Sequence, residues 1–133
     1  MVLRVFLVED SAAMRAHLIE TLVERAGVDV VGVAETEKEA VDWLDRNADR
    51  WDMALIDLFL REGTGAGVIE HCRERHPGQS VLVMTNHARD AALQQECKLL
   101  GADAVYHKAL ELDGLVAHCV ALAARKPGNT GQS

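Results

Sequence analysis

The chain has 133 residues, with 14 Lys or Arg against 21 Asp or Glu and a formal net charge of -7. That is one ordinary domain, large enough to bury roughly two thirds of its unfolded surface. A composition of 49% hydrophobic and 26% charged residues fits a globular protein, and the sequence has no apolar run of bilayer length, no basic stripe to attract nucleic acid, and no secretion signal, so a cytoplasmic location is expected.

Short apolar runs alternate with longer stretches whose apolar residues recur at three- and four-residue spacing, a strand-then-helix rhythm repeated five times. The first strand, Leu3 to Val8, stops on two adjacent acids, Glu9 and Asp10. Ser11 is placed to cap a helix from Ala12 to Ala26, with Met14, Leu18 and Leu22 on one face and Gly27 at its end. A second strand, Val28 to Ala34, leads to a helix that opens on a capping box, Thr36 to Glu39 in "TEKEAVDWL", and buries Ala40, Val41 and Leu44. The third strand, Met53 to Asp57, precedes a helix that carries Val68, Ile69 and Cys72 and stops before "HPG". The fourth, Val81 to Thr85, precedes a helix from Asp90 to Leu100 ended by Gly101. The fifth, Ala104 to His107, runs into Lys108 and then a helix with Leu112, Leu115, Val116, Cys119 and Ala123 on one face. The closing "RKPGNTGQS" has no core positions, so residues 126–133 are expected to form a disordered tail or truncated linker after one domain of residues 1–125.

Strands that are apolar on consecutive positions suit a parallel sheet covered on both faces, and right-handed crossovers then make this a doubly wound α/β domain. Cys72, Cys97 and Cys119 fall within apolar helical patterns and read as buried thiols. His17, His71, His76, His87, His107 and His118 lack ligand spacing and read as solvated or packing residues, and Trp43 and Trp51 as packing residues.

In an open α/β sheet, ligands bind beyond the carboxyl ends of the strands. The residues there are Glu9, Asp10, Asp57, Thr85 and Lys108, which converge on one rim if strands one, three, four and five are neighbours. Crowded carboxylates resist ionisation unless a cation joins them, and a hard octahedral Mg²⁺ fits this set. A carboxylate can also attack phosphorus while a metal and a lysine neutralise the transferring oxygens, which makes Asp57 the candidate nucleophile.

In order along the chain, "VEDS", "ALIDLFLREGTG", "VLVMTN" and "GADAVYHK" resemble the four site blocks of the receiver domains of two-component response regulators, over residues 2 to 124. The resemblance implies a flavodoxin-like (βα)5 fold with strand order 2-1-3-4-5. It also implies a phosphoryl group accepted on Asp57 from a histidine kinase or histidine phosphotransfer protein. Mg²⁺ would be held by Asp10, Asp57 and the main-chain carbonyl of Phe59, with Glu9 acting through a water. Thr85 would hydrogen-bond one phosphoryl oxygen and Lys108 would pair with another.

The sequence departs from the family in several places. Val105 stands where an aromatic usually lies three residues before the lysine, and Tyr106, one position on, should point to the opposite face of the sheet. Ala109 replaces the usual proline after Lys108, so a trans bond is expected; Arg61 replaces a proline in the loop after Asp57, and Asn86 a small residue after Thr85. The leading expectation is a phosphorylation-switched, single-domain module, a monomer or weak dimer. It would not be an enzyme beyond its own phosphorylation and dephosphorylation, and would act on an unknown downstream protein with no nucleic acid or membrane contact. The alternatives are a phosphoryl shuttle or sink and a constitutive pseudo-receiver scaffold. A phosphatase of the haloacid dehalogenase type would need a second Asp where Phe59 stands.

Overall fold

The computed structural model describes residues 2–126. Five parallel strands, β1 (Arg4–Val8), β2 (Asp29–Ala34), β3 (Met53–Asp57), β4 (Ser80–Thr85) and β5 (Ala104–His107), form one sheet in the order β2-β1-β3-β4-β5. Five helices follow them in turn: α1 (Ala12–Ala26), α2 (Glu37–Arg46), α3 (Gly65–His71), α4 (Ala91–Leu100) and α5 (Leu112–Ala124). The flavodoxin-like arrangement and its strand order are those expected from the sequence. No helix among the described residues is long and apolar enough to cross a membrane.

Because side chains alternate across a strand, each central strand feeds two cores. Phe6, Val8, Ala54, Ile56, Val81 and Val83 pack with Ala40 and Leu44 of α2, Val68 and Ile69 of α3, and Cys97 of α4. On the other face Val5, Leu7, Met53, Leu55, Leu82 and Met84 pack with Leu18 and Leu22 of α1 and Leu115, Val116 and Cys119 of α5. β3 is buried along its whole length, whereas the edge strands are not: Asp29 and Val33 of β2 are exposed and β5 is half-buried throughout. Val41 of α2 is likewise only half-buried.

Local chemistry sets the helix ends. Ser11, Thr36, Thr64 and Asp90 each accept a backbone N–H in the first turn of the helix that follows, and Gly27 (φ 64°) and Gly101 (φ 119°) close α1 and α4 in the left-handed conformation. The capping box at α2 differs in its return arm. Glu39 accepts the N–H of Glu35 (3.0 Å), one residue before the cap, rather than that of Thr36. Gly32 leaves room for Trp43, whose indole stacks on Phe6 with centroids 4.1 Å apart; a Cβ there would lie 2.4 Å from Trp43 Nε1.

The three cysteines are buried and unpaired, and burial pushes the thiols of Cys72 and Cys119 up to about 11 and about 12, so they serve as apolar packing groups. At the opposite end of the sheet from the acidic rim, Asp52 takes a bidentate fork from Arg4 (3.1 Å to each oxygen) and an ion pair from Lys126 (2.8 Å), which also donates to the Val2 carbonyl. Of the expected tail, Lys126 is thus tied down; residues 127–133 lie outside the described residues.

Candidate functional site

The strand order places the ends of β1, β3, β4 and β5 side by side, and there the sequence-predicted residues meet. Carboxylate oxygens of Glu9, Asp10 and Asp57 lie within 4.8 Å of one another. They line a cavity of about 270 Å³ together with Ser11, Phe59, Asn86, His87 and Lys108.

Lys108 holds the centre. Its Nζ lies 2.9 Å from Asp57 Oδ2 and 2.9 Å from Glu9 Oε1. The remaining carboxylate oxygens of these two acids are fixed by backbone: Glu9 Oε2 accepts the Ser11 N–H (3.0 Å) and Asp57 Oδ1 the Phe59 N–H (3.2 Å). Burial raises the pKa of Glu9 above its ordinary value, and the Asp57 charge adds to this against the opposing pull of Lys108 and the Ser11 N–H. Burial alone would lower that of Lys108, yet its bonds to Glu9 and Asp57 outweigh desolvation and raise it.

Asp10 has a different partner. Its Oδ2 accepts the backbone N–H of Arg61 (2.8 Å), the Arg61 guanidinium lies 3.6 Å from the same oxygen at Nε, and Nη2 donates to the Asp10 carbonyl (3.3 Å). Arg61 was visible in the sequence only as a replaced proline; its contact with Asp10 crosses 51 residues and carries no local signal.

Thr85 is at the rim but fully buried, and its Oγ1 accepts the His87 N–H (3.0 Å) in a tight turn, which leaves its own O–H as a donor. Phe59, 57% exposed, meets the His87 ring edge-on at 5.4 Å, so two aromatic rings flank the cavity mouth.

The loop from Asp57 to α3 is held firmly. Glu37, at the start of α2, accepts the Thr64 N–H (2.8 Å), and its side chain occupies the space that Cβ atoms on Gly63 and Gly67 would need, 2.3 and 2.2 Å away respectively. Gly65 lies against the chain of the phosphoacceptor candidate, where a Cβ would sit 2.3 Å from the Asp57 carbonyl oxygen. The glycines of "EGTGAG" were the available signal for this clasp.

β5 resolves the displaced aromatic. Val105 packs on the α3 and α4 side and Tyr106 on the α1 and α5 side, as alternation requires. The Tyr106 hydroxyl pairs with His118 Nδ1 of α5 (2.7 Å). The 108–109 peptide is trans, as expected. The turn is organised instead by His107, whose Nδ1 accepts the N–H groups of both Ala109 and Leu110 (3.1 Å each). His71 and His76 pair with Asp45 and Asp49. His71, His76, His107 and His118 thus have specific partners that residue spacing alone did not disclose.

The three clustered acids offer only oxygen ligands, which is the donor set a small hard cation such as Mg²⁺ prefers over softer metals. The fold is a parallel, doubly wound α/β sheet with this acidic cluster and a lysine together at its carboxyl edge. Residues 5–119 match the response regulator receiver domain family, and the chain belongs to that family. Aspartate phosphorylation and Mg²⁺ binding are typical of its members.

Several curated relatives are similar in sequence. The DNA-binding transcriptional activator DevR/DosR of Mycobacterium tuberculosis is 36% identical over 93 residues, 68% of this chain and 41% of the relative. The transcriptional regulatory protein PhoP of Escherichia coli is 33% identical over 132 residues, 98% of this chain and 56% of the relative. The chain therefore spans about half the length of the curated relatives it matches. Among solved structures, a two-component response regulator of the LuxR family from an Aurantimonas species superposes with a TM-score of 0.80 at 24% identity, covering 99% of this chain and 95% of that one, which establishes likeness of fold.

Proposed function

We propose that this domain is a phosphorylation-dependent signalling receiver that accepts a phosphoryl group on Asp57 from a histidine kinase or histidine phosphotransfer protein. The observation that carries the reading is the placement of Lys108 Nζ at 2.9 Å from both Asp57 Oδ2 and Glu9 Oε1, at a rim where Asp10 also converges.

In the reaction an Asp57 carboxylate oxygen attacks phosphorus, the bond from phosphorus to the donor nitrogen breaks, and the leaving imidazole takes up a proton. Lys108 neutralises charge on a transferring oxygen, and the Thr85 hydroxyl donates to another once the turn to His87 yields. Glu9, Asp10, Asp57 and the Phe59 carbonyl would hold Mg²⁺, which supplies further neutralisation of the phosphoryl oxygens when bound. The Phe59 and Ser11 N–H groups keep the Asp57 and Glu9 carboxylates oriented for this. The chemistry of the domain is confined to this self-phosphorylation and the hydrolysis that reverses it.

Output passes to another protein by surface contact, in the cytoplasm. Two relatives carry DNA-related names, but the net charge of -7 on this chain opposes duplex contact by these residues themselves. One observation favours a second reading, the phosphoryl shuttle. Tyr106 is bonded to His118 on the α5 side while only Val105 faces α4, so no aromatic from β5 is placed to swing on that face.

The test is incubation of the full chain with a small-molecule phosphodonor and Mg²⁺, followed by intact mass and hydroxylamine treatment. One hydroxylamine-labile phosphoryl group, absent from Asp57→Ala, is expected; labelling that persists in Asp57→Ala overturns the assignment.

A further inference from the structure

Among the three acids at the rim, Asp10 differs from the other two in its cation. Glu9 and Asp57 share Lys108, whereas Asp10 is served by Arg61 alone among the described residues. The contact is threefold: the backbone N–H and Nε on Oδ2, and Nη2 on the Asp10 carbonyl. The Asp10 side chain is 16% exposed and the Arg61 side chain 80%, so the acid is fixed while the guanidinium lies on the solvent side of it, free to leave.

The charges at the rim give this contact a consequence. Three carboxylates are balanced by Lys108 and a dication without remainder, so a guanidinium kept beside Asp10 makes the metal-loaded site positive. Arg61 also lies two residues after Phe59, whose carbonyl is the main-chain ligand in the reading above, in the same loop.

We propose that Arg61 is a tethered counter-ion that occupies Asp10 in the resting site and lowers its affinity for Mg²⁺. This is an affinity-setting role, it rests on the metal reading of the Glu9, Asp10 and Asp57 cluster, and it belongs to this chain's departure from proline at that position. The dication and the guanidinium compete for Asp10 through charge. The backbone N–H of residue 61, which a proline would lack, keeps its bond to Oδ2 when Arg61 is replaced by Gln or Lys, so Arg61→Gln removes the charge and spares that bond.

A unit charge about 6 Å from a dication in a water-like medium, with partial screening, corresponds to about a three- to tenfold change in affinity. The experiment is calorimetric titration of MgCl₂ into the full chain and into Arg61→Gln, Arg61→Lys and Asp10→Asn, at low and at high ionic strength. Arg61→Gln should bind Mg²⁺ about three- to tenfold more tightly than the parent at low salt, with the difference shrinking at high salt. Arg61→Lys, which restores the charge, should stay within about twofold of the parent, an outcome that loss of loop packing would not produce.

Equal or weaker affinity in Arg61→Gln overturns the proposal, as does a gain in Arg61→Lys as large as that in Arg61→Gln. Asp10→Asn separates this from the underlying reading. If it binds Mg²⁺ as the parent does, or if the parent binds none, the metal reading falls and the Arg61 proposal with it.

Discussion

Removal of Lys108 is the sharpest single test of the rim. In Lys108→Met the ammonium is lost from between Glu9, whose side chain is fully buried, and Asp57, whose side chain is 5% exposed, while the chain length and apolar stem are kept. Taking away one partner of a buried ion pair costs about 3–5 kcal/mol, because the remaining charges are left without compensation. Proton uptake limits the loss, each unit by which a carboxyl pKa rises corresponding to about 1.4 kcal/mol.

The pH dependence is the signature. In the parent, the pKa of Lys108 is raised, so its contribution is present through neutral pH and is lost only as pH climbs above 10.5 through the raised value. Glu9 is also raised, above 4.5, so its contribution is complete below that value and is lost as pH rises through its folded-state pKa. Without Lys108 the Glu9 pKa rises further. The variant should therefore unfold in urea with a deficit of about 3 kcal/mol or more at neutral pH that shrinks to about 1 kcal/mol near pH 4, below the raised pKa of Glu9, where that carboxyl holds its proton. Far-ultraviolet circular dichroism reads both transitions. A neutral-pH deficit under about 1 kcal/mol, or one that does not change between the two conditions, refutes the reasoning.

Three other outcomes follow from particular contacts. Gly65→Ala places a Cβ 2.3 Å from the Asp57 carbonyl oxygen and 2.6 Å from Leu58 Cα. Backbone cannot yield as a side chain would, so urea denaturation should show a loss of at least about 2 kcal/mol, with slowed phosphorylation. His107→Ala removes the acceptor of two N–H groups and should cost about 1 kcal/mol, with faster amide exchange at Ala109 and Leu110 by NMR. His118 is held below 6.5 by burial first and then by Arg125, against Asp103, so the stability it contributes is present above 6.5 and lost as pH falls through the lowered value. His118→Gln should flatten that part of the acid side of a stability–pH curve measured by thermal melting.

Much of this domain was legible in its sequence because the signals are local. Ser11 and Thr36 each act on an N–H three residues on, and Gly27 and Gly101 act where they stand, so these helix ends follow from near neighbours; Thr64 and Asp90 cap α3 and α4 by the same chemistry, though Asp90 reads from the sequence as the first helical residue and Thr64 does not stand out in it. The same holds for the split between Val105 and Tyr106, since alternation along a strand needs no knowledge of what covers each face. The edge strands were less legible: the runs Val28 to Ala34 and Ala104 to His107 read as apolar like the central ones, and only their place at the margin leaves them partly open.

The sequence by itself determined the five strand–helix units, the residues that end each strand, and hence the chemistry available at the carboxyl rim. Tertiary structure alone decided how those groups divide the cations. Lys108 reaches Asp57 across 51 residues and Arg61 reaches Asp10 across another 51, and nothing in the spacing of charges says which acid receives which. The same is true of Glu37 against Thr64 and of Tyr106 against His118. Strand order brings such groups to one edge, and the geometry at that edge then selects the partners, because ion pairs and hydrogen bonds act only over a few ångströms while the chain separates their members by tens of residues.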